Sequence, residues 1–82
     1  MNIEITLMDS KGKTKMFGEL NFMNSVIPRL KKEKTISGEL YGEDIQGRNV
    51  FKMNLYGVNQ QKAFAIITDM GYTIVNSKEV WD

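Results

Sequence analysis

The feature that most constrains the fold is the alternation of apolar and polar residues in several short segments. It is clearest in two places, where the apolar positions are Ile3, Ile5 and Leu7, and then Phe51, Met53 and Leu55. Successive side chains of a strand point to opposite faces, so this period of two predicts strands with one buried face. The same pattern predicts two more strands, over Lys13 to Phe22 and over Ile36 to Tyr41. A turn at residues 9–12 would join the first two strands into a hairpin.

Two helices are predicted between the strands. The longer one covers residues 60–70, where four apolar residues share one helical face, namely Ala63, Ile66, Ile67 and Met70. Asn59 is a good N-cap for this helix, and Gly71 stands where a left-handed residue after the helix is favoured. The shorter helix covers residues 25–33, because Asn24 and Ser25 can cap it and Pro28 falls in its first turn.

The C-terminal segment, from Tyr72 to Trp81, has strand character with apolar residues on both faces, which predicts a bulge or burial on both sides. The predicted order is therefore ββαββαβ, an α+β fold. Its antiparallel sheet has four or five strands, with the long and the short helix on the apolar face. A chain of 82 residues can build one core, so residues 1–82 are expected to form a single domain. The tripeptide Gly-Glu-Leu occurs at 18–20 and 38–40 at the same predicted strand phase, which reflects packing, chance or an old duplication.

The chain contains no cysteine and no histidine. The commonest general base, the thiol nucleophile and all zinc-binding patterns are therefore missing. Glu43 and Asp44 form an adjacent acidic pair in a predicted loop, which we interpret as solvated. The glycines do not form a phosphate-binding loop. The sequence predicts a protein that is not an enzyme and that has no cofactor and no metal site.

Charge and hydropathy bear on location and partners. No segment reaches the roughly 18–20 apolar residues of a membrane span, and the N-terminus lacks a signal-peptide pattern, so a cytoplasmic protein without membrane contact is expected. The formal net charge of +1 gives no strong attraction to nucleic acid. Nine lysines against two arginines are typical of an AT-rich genome, which indicates a low-GC bacterium or its mobile elements.

The predicted outer face of the sheet is the leading candidate for a binding site. The strand phases place three aromatic residues there, Phe17, Tyr41 and Tyr56, together with Lys15, Lys52, Glu19 and Glu39, and also Met8 and Glu4. Such a face suits a partner, unless the terminal strand covers it or one of the phases is wrong. A basic patch of Arg29, Lys31, Lys32 and Lys34 is the second candidate. It is either the solvent-exposed face of the short helix or a contact for phosphate or an acidic protein.

These features favour a non-catalytic protein-binding module. In size and in its lack of catalytic residue types the chain resembles the small proteins with which phages and mobile elements inhibit host enzymes or defence complexes, although no motif carries that resemblance. The alternative is a single-stranded nucleic-acid-binding protein that uses the open sheet face. Three glutamates on the predicted face argue against it. The expected partner is another protein, and an unpaired sheet edge also favours a homodimer.

Overall fold

The computed structural model describes residues 1–9, 15–44 and 50–80, with the side chains at 9, 15–17, 43 and 44 left out. Its elements are β1 (Ile3–Asp9), α1 (Lys15–Asn21), α2 (Ile27–Lys32), β2 (Gly38–Asp44), β3 (Val50–Tyr56), α3 (Gln60–Asp69) and β4 (Tyr72–Glu79). A π-helical turn, Phe22–Val26, joins α1 and α2 into one uninterrupted helical stretch. The observed order is therefore strand, helix, two strands, helix, strand.

The four strands form one sheet in the order β2-β3-β1-β4, and all neighbours are antiparallel. This confirms the α+β class and the antiparallel sheet. The helical stretch from α1 to α2 and the helix α3 both contribute apolar residues to the core cluster that contains the inward residues of β1 and β3. Both therefore cover the same face of the sheet. We call this face the inner face and the opposite one the outer face. The strand order and the crossing connections are those of the split βαβ, or ferredoxin-like, arrangement.

The predicted strand over Lys13 to Phe22 is wrong, and with it the N-terminal hairpin, because residues 15–21 are helical. The buried residues recur every four positions, at Gly18, Phe22 and Val26, which is helical spacing. Leu20, which the period of two placed inside, is 55% exposed. The alternation in this segment is a coincidence, because Leu20 is an apolar residue on the exposed side of the helix.

The predicted helix over residues 25–33 lies within the same longer stretch. Asn24 and Ser25 do not begin it but lie inside the π-helical turn. Pro28 lies two residues after the end of that turn, in the first turn of α2. A proline within a continuous α-helix clashes with the carbonyl four residues earlier, and a π-helical turn relieves such a conflict by changing the local hydrogen-bond register.

The end of α2 is closed by a Schellman motif. The amide of Thr35 donates to the carbonyl of Leu30 over 2.9 Å, and the amide of Lys34 donates to Lys31 over 3.0 Å. Lys34 has a φ of 59°, the left-handed conformation that this position requires and that glycine adopts most easily. Lys34 therefore has a structural role in the helix end.

The predictions for the second helix are confirmed. The side chain of Asn59 caps α3 by accepting a hydrogen bond from the amide of Lys62. Gly71 has a φ of 92°, as expected for the residue after a helix. Three of the predicted stripe residues are buried, namely Ala63, Ile66 and Ile67, while Met70 is partly buried and packs against the core.

The core is centred on three aromatic rings from three elements. Phe22 makes edge-to-face contacts with Phe51, at a centroid distance of 5.6 Å, and with Tyr72, at 5.2 Å. The Tyr72 hydroxyl donates to the carbonyl of Gly18 over 2.7 Å and accepts from the side-chain amide of Asn21 over 2.9 Å. The two hydrogen bonds fasten α1 to the sheet.

The predicted inner and outer faces are confirmed for some strands and wrong for others. The inward residues predicted for β1 and β3 are all buried. In β4 the register shifts by one residue, with Leu7 opposite Ile74 and Thr6 opposite Asn76, which is a bulge, one of the two predicted alternatives. Trp81 lies outside the described residues. Among the helices that the structure describes, none has the length and apolar character needed to cross a membrane.

Candidate protein-binding face

The outer face of the sheet is defined by the strand register. Glu4 lies opposite Asn54, and Thr6 lies opposite Lys52, so these side chains share the face that points away from the buried residues of β1 and β3. Because the stretch from α1 to α2 and the helix α3 both pack on the inner face, no described helix covers the outer one. A four-stranded sheet that is covered on one side has an open face of this kind.

The register divides the predicted site between the two faces. Tyr56 and Lys52 lie on the outer face, as predicted. Glu39 is opposite Leu55 and Tyr41 is opposite Met53, and both of these partners are buried in the core, so Glu39 and Tyr41 lie on the inner face. Their predicted outward phase is wrong.

The physical reason for the inverted phase is a bend before the strand. Ile36 is buried, at 5% exposure, so an alternation that continued from Ile36 would place Gly38 and Leu40 inside as well. The chain bends at Ser37, and β2 begins only at Gly38. The alternation of a strand does not continue through a bend, so Leu40 lies outside instead of inside.

Three further predicted site residues belong to α1, on the helical side of the sheet. They are Lys15, Phe17 and Glu19. The side chains of Lys15 and Phe17 lie outside the described ones, whereas Glu19 is partly buried. The structure therefore does not bring these residues together with Tyr56 and Lys52 on one strand surface.

Glu19, Glu39 and Tyr41 instead form a polar cluster at the inner side of β2. Partial burial of the Tyr41 hydroxyl raises its pKa to about 12, with a further contribution from its hydrogen bond to Glu19 and from the charge of that carboxylate. The Glu39 carboxylate is held by Lys31, whose Nζ lies 2.8 Å from Oε2 and 3.0 Å from Oε1. This cluster attaches the edge of the sheet to the helices.

The outer face has an apolar corner beside β2. Leu40 is 59% exposed, the largest value among the exposed large hydrophobic side chains of the described residues. The ring of Tyr56 lies over Gly38, with its Cδ2 atom 3.7 Å from the point where a Cβ would be. Leu40 and Tyr56 are diagonal neighbours across β2 and β3. We call Leu40 and Tyr56 the apolar corner.

The middle of the outer face is charged. Glu4 lies between two lysines, with its Oε1 atom 3.9 Å from Lys52 Nζ and 3.7 Å from Lys78 Nζ. Glu4 is the most enclosed of the three, since its side chain is 23% exposed. The central charges therefore largely neutralise each other, with a small positive excess.

The predicted basic patch is partly neutralised within the chain. Arg29 donates to Glu33 over 2.8 Å and to Asp69 over 3.1 Å. The hydrogen bonds to Glu33 and Asp69 raise the pKa of Arg29. With Lys31 bound to Glu39, the lysines of this patch that form no ion pair with a described acidic side chain are Lys32 and Lys34. Two lysines provide little positive field for a phosphate.

Other surfaces offer less. A shallow depression of about 250 Å³ lies on the helical side, lined by Leu20, Asn21, Asn24 and Ser25. Among the described side chains, no three acidic residues come close enough together to hold a metal ion. The side chains of Glu43 and Asp44 are outside that set.

Comparison with known proteins adds no identity: the chain matches no family model, no curated protein and no solved structure. The split βαβ arrangement hosts many unrelated functions, so the fold does not assign one either. What the structure defines is a small α+β protein with a sheet face that no described helix covers.

Leu40 is the site residue that the sequence did not provide. The sequence does carry a signal of an irregular strand here, because Gly38 and Gly42 flank this segment and glycine within a strand often marks a bulge or bend. The predicted alternation in this segment is one residue out of phase with the observed one. Tyr41 was therefore expected on the outer face, where Leu40 is found.

Proposed function

We propose that this protein is a non-catalytic module that binds another protein through the outer face of its sheet. The observation that carries the proposal is the apolar corner, which combines the exposed Leu40 with Tyr56 on a face that no described helix covers. Protein interfaces are enriched in large apolar and aromatic side chains at their centre and have a polar rim. The paired charges of Glu4, Lys52 and Lys78 supply such a rim next to the corner.

Single-stranded nucleic acid remains the second candidate, with weaker support. Four-stranded sheets that bind RNA stack bases on aromatic residues of their central strands. In the central strands of this sheet, the described outward residues include one aromatic, Tyr56. The glutamates 19 and 39 no longer argue against this candidate, but the aromatics 17 and 41 no longer support it, and Lys52 already neighbours Glu4.

A protein of this size that occupies a surface of a larger one would act by obstruction. Inhibition of a host enzyme or defence complex by a phage or mobile-element protein is the finer form of the proposal. It rests on the size of the chain and on its residue composition alone.

The test is capture from a low-GC bacterial lysate with matched variants. The face variant is L40S/Y56S, and the control is L20S, because Leu20 is 55% exposed on the helical side while Leu40 is 59% exposed on the outer face. We expect the wild type and L20S to retain the same partner and the face variant to lose it. L20S should unfold at the wild-type midpoint because Leu20 is exposed, and the face variant only slightly below it because Leu40 is exposed and Tyr56 is partly exposed. Equal capture by all three variants would remove the outer face as the binding site.

A salt titration separates protein from nucleic acid as the partner. Oligo-dT or oligo-U binding that involves several phosphates would weaken steeply with salt. An interface centred on Leu40 and Tyr56 would change little. Tight, salt-sensitive binding of either oligonucleotide would reverse the ranking of the two candidates.

A further inference from the structure

The two edge strands of the sheet differ in their protection against pairing. β4 carries a bulge at Val75, and a charged residue, Lys78, projects from it. Bulges and edge lysines are devices that prevent edge-to-edge association. β2 pairs regularly with β3 from Gly38 to Tyr41, and its register changes only beyond Tyr41. The regular part of β2 contains neither a lysine nor a proline.

The one charge in this regular part is already compensated. The Glu39 carboxylate lies on the inner face and is bound by Lys31 of the same chain. Leu40 and Tyr41, the next two residues, are 59% and 40% exposed on opposite faces. Among the described strands, none but β3 pairs with β2, so its other edge offers backbone groups flanked by apolar side chains, which is the form of edge that accepts another strand.

We propose that the β2 edge pairs antiparallel with the β2 edge of a second copy of this chain, with Leu40 of one copy opposite Leu40 of the other. A two-fold axis perpendicular to the sheet relates such strands, so the contact closes as a dimer. In this arrangement the outer faces of both copies are on the same side, and the two sheets become one of eight strands. The inference goes beyond the proposed binding face because it concerns the strand edge and names the occupant.

The burial of Leu40 in the contact selects this register from its neighbours. An axis at Glu39 would place Leu40 opposite Gly38 of the other copy, and an axis at Tyr41 would place it opposite Gly42. Only an axis at Leu40 pairs leucine with leucine and removes the apolar surface of both from water. The same axis pairs Glu39 with Tyr41, within the regular part of β2. It also brings the two apolar corners side by side across the new seam.

The contact is short, so we expect a weak dimer of the small-interface class. Cysteine cross-linking detects it directly, because the chain has no cysteine of its own and L40C adds a single thiol. Opposite residues of an antiparallel pair have Cβ atoms about 4.5–5.5 Å apart, close to what a disulfide needs. The matched control is V75C, because Val75 is also exposed, at 55%, on the protected edge.

We expect L40C to form a disulfide-linked dimer under mild oxidation much faster than V75C. The variants L40D and L40K should each be monomeric, whereas their mixture should give a heterodimer by native mass spectrometry, since only opposed positions restore an ion pair. Equal cross-linking rates of L40C and V75C would overturn the proposal. So would light scattering of the wild type that remains at the monomer mass of 9.4 kDa up to millimolar concentration. These measurements contain no other protein, so their failure leaves the proposed partner-binding face to its own test.

Discussion

The hydroxyl of Tyr72 offers a sharp test of how the N-terminal helix is attached to the sheet. Y72F removes one oxygen atom and keeps the ring, including its edge-to-face contacts with Phe22 and Phe51. The lost groups are the hydrogen bond to the Gly18 carbonyl, at 2.7 Å, and the one from Asn21, at 2.9 Å. If residues 15–21 formed a strand of a hairpin, this contact with the β4 tyrosine would not be made.

The expected cost follows from the burial of the two partners. Gly18 is buried within the helical stretch, where a carbonyl also accepts from the amide four residues later, and Asn21 is exposed and can turn to solvent. Y72F therefore removes one buried hydrogen bond without leaving its acceptor wholly unpaired, which costs about 0.5–1.5 kcal/mol. For a domain of this size each kcal/mol lowers Tm by roughly 4–8 °C, so we expect a fall of about 2–12 °C.

Thermal unfolding followed by circular dichroism measures this effect. The control is Y56F, because Tyr56 is a half-exposed tyrosine of the outer face and its loss of a hydroxyl should change stability by less than about 0.5 kcal/mol. An unchanged Tm for Y72F, or an equal fall for both variants, would refute the attachment of α1 through this hydroxyl.

Three further predictions concern the core, the helix end and the polar cluster. M53A should lower the free energy of unfolding by about 2–5 kcal/mol because Met53 is fully buried, while L40A should leave it nearly unchanged, and urea unfolding of both variants checks the assigned β2 and β3 faces. K34G should raise stability by about 0.5–1 kcal/mol, since it relieves left-handed strain at a φ of 59°, and K34A, which gives no such relief, is its control in the same assay. The phenol of Tyr41 should titrate at about pH 12, visible as the ultraviolet difference between wild type and Y41F. Because this pKa is raised above the usual 10.0, its contribution to stability is present below pH 10 and is lost as the pH rises towards 12, and a difference titration centred near 10.0 would contradict the contact with Glu19.

Local sequence patterns were sufficient to predict an element and its buried face where one periodicity dominated. The inward residues of β1 and β3, the cap at Asn59 and the left-handed Gly71 all followed from the sequence, and the bulge was one of two predicted alternatives for β4. In each case the buried positions and the cap residues indicate the same element, so tertiary contacts had no conflict to resolve. The α+β class and the antiparallel sheet followed from these elements.

The binding face could be predicted only in part, because the phase of a strand depends on where the strand begins. Tyr56 and Lys52 lie in a strand whose inward residues are unambiguous, and they were placed correctly. Leu40 and Tyr41 follow a bend that the sequence does not mark, so the apolar residues nearby gave the wrong phase. The pairing of β2 with β3 determined which residues of β2 lie on the inner face and which lie on the outer face.

The repeated tripeptide Gly-Glu-Leu shows what the sequence by itself determined and what tertiary structure decided. At 18–20 it is helical, and at 38–40 it is the start of β2. Its leucine is exposed in both places, at 55% and 59%. The sequence determined the buried residues of β1 and β3, because their apolar residues alternate with polar ones. The tertiary structure decided the conformation of the tripeptide, because a short segment has similar preferences for either state and the packing of its neighbours supplies the larger free energy.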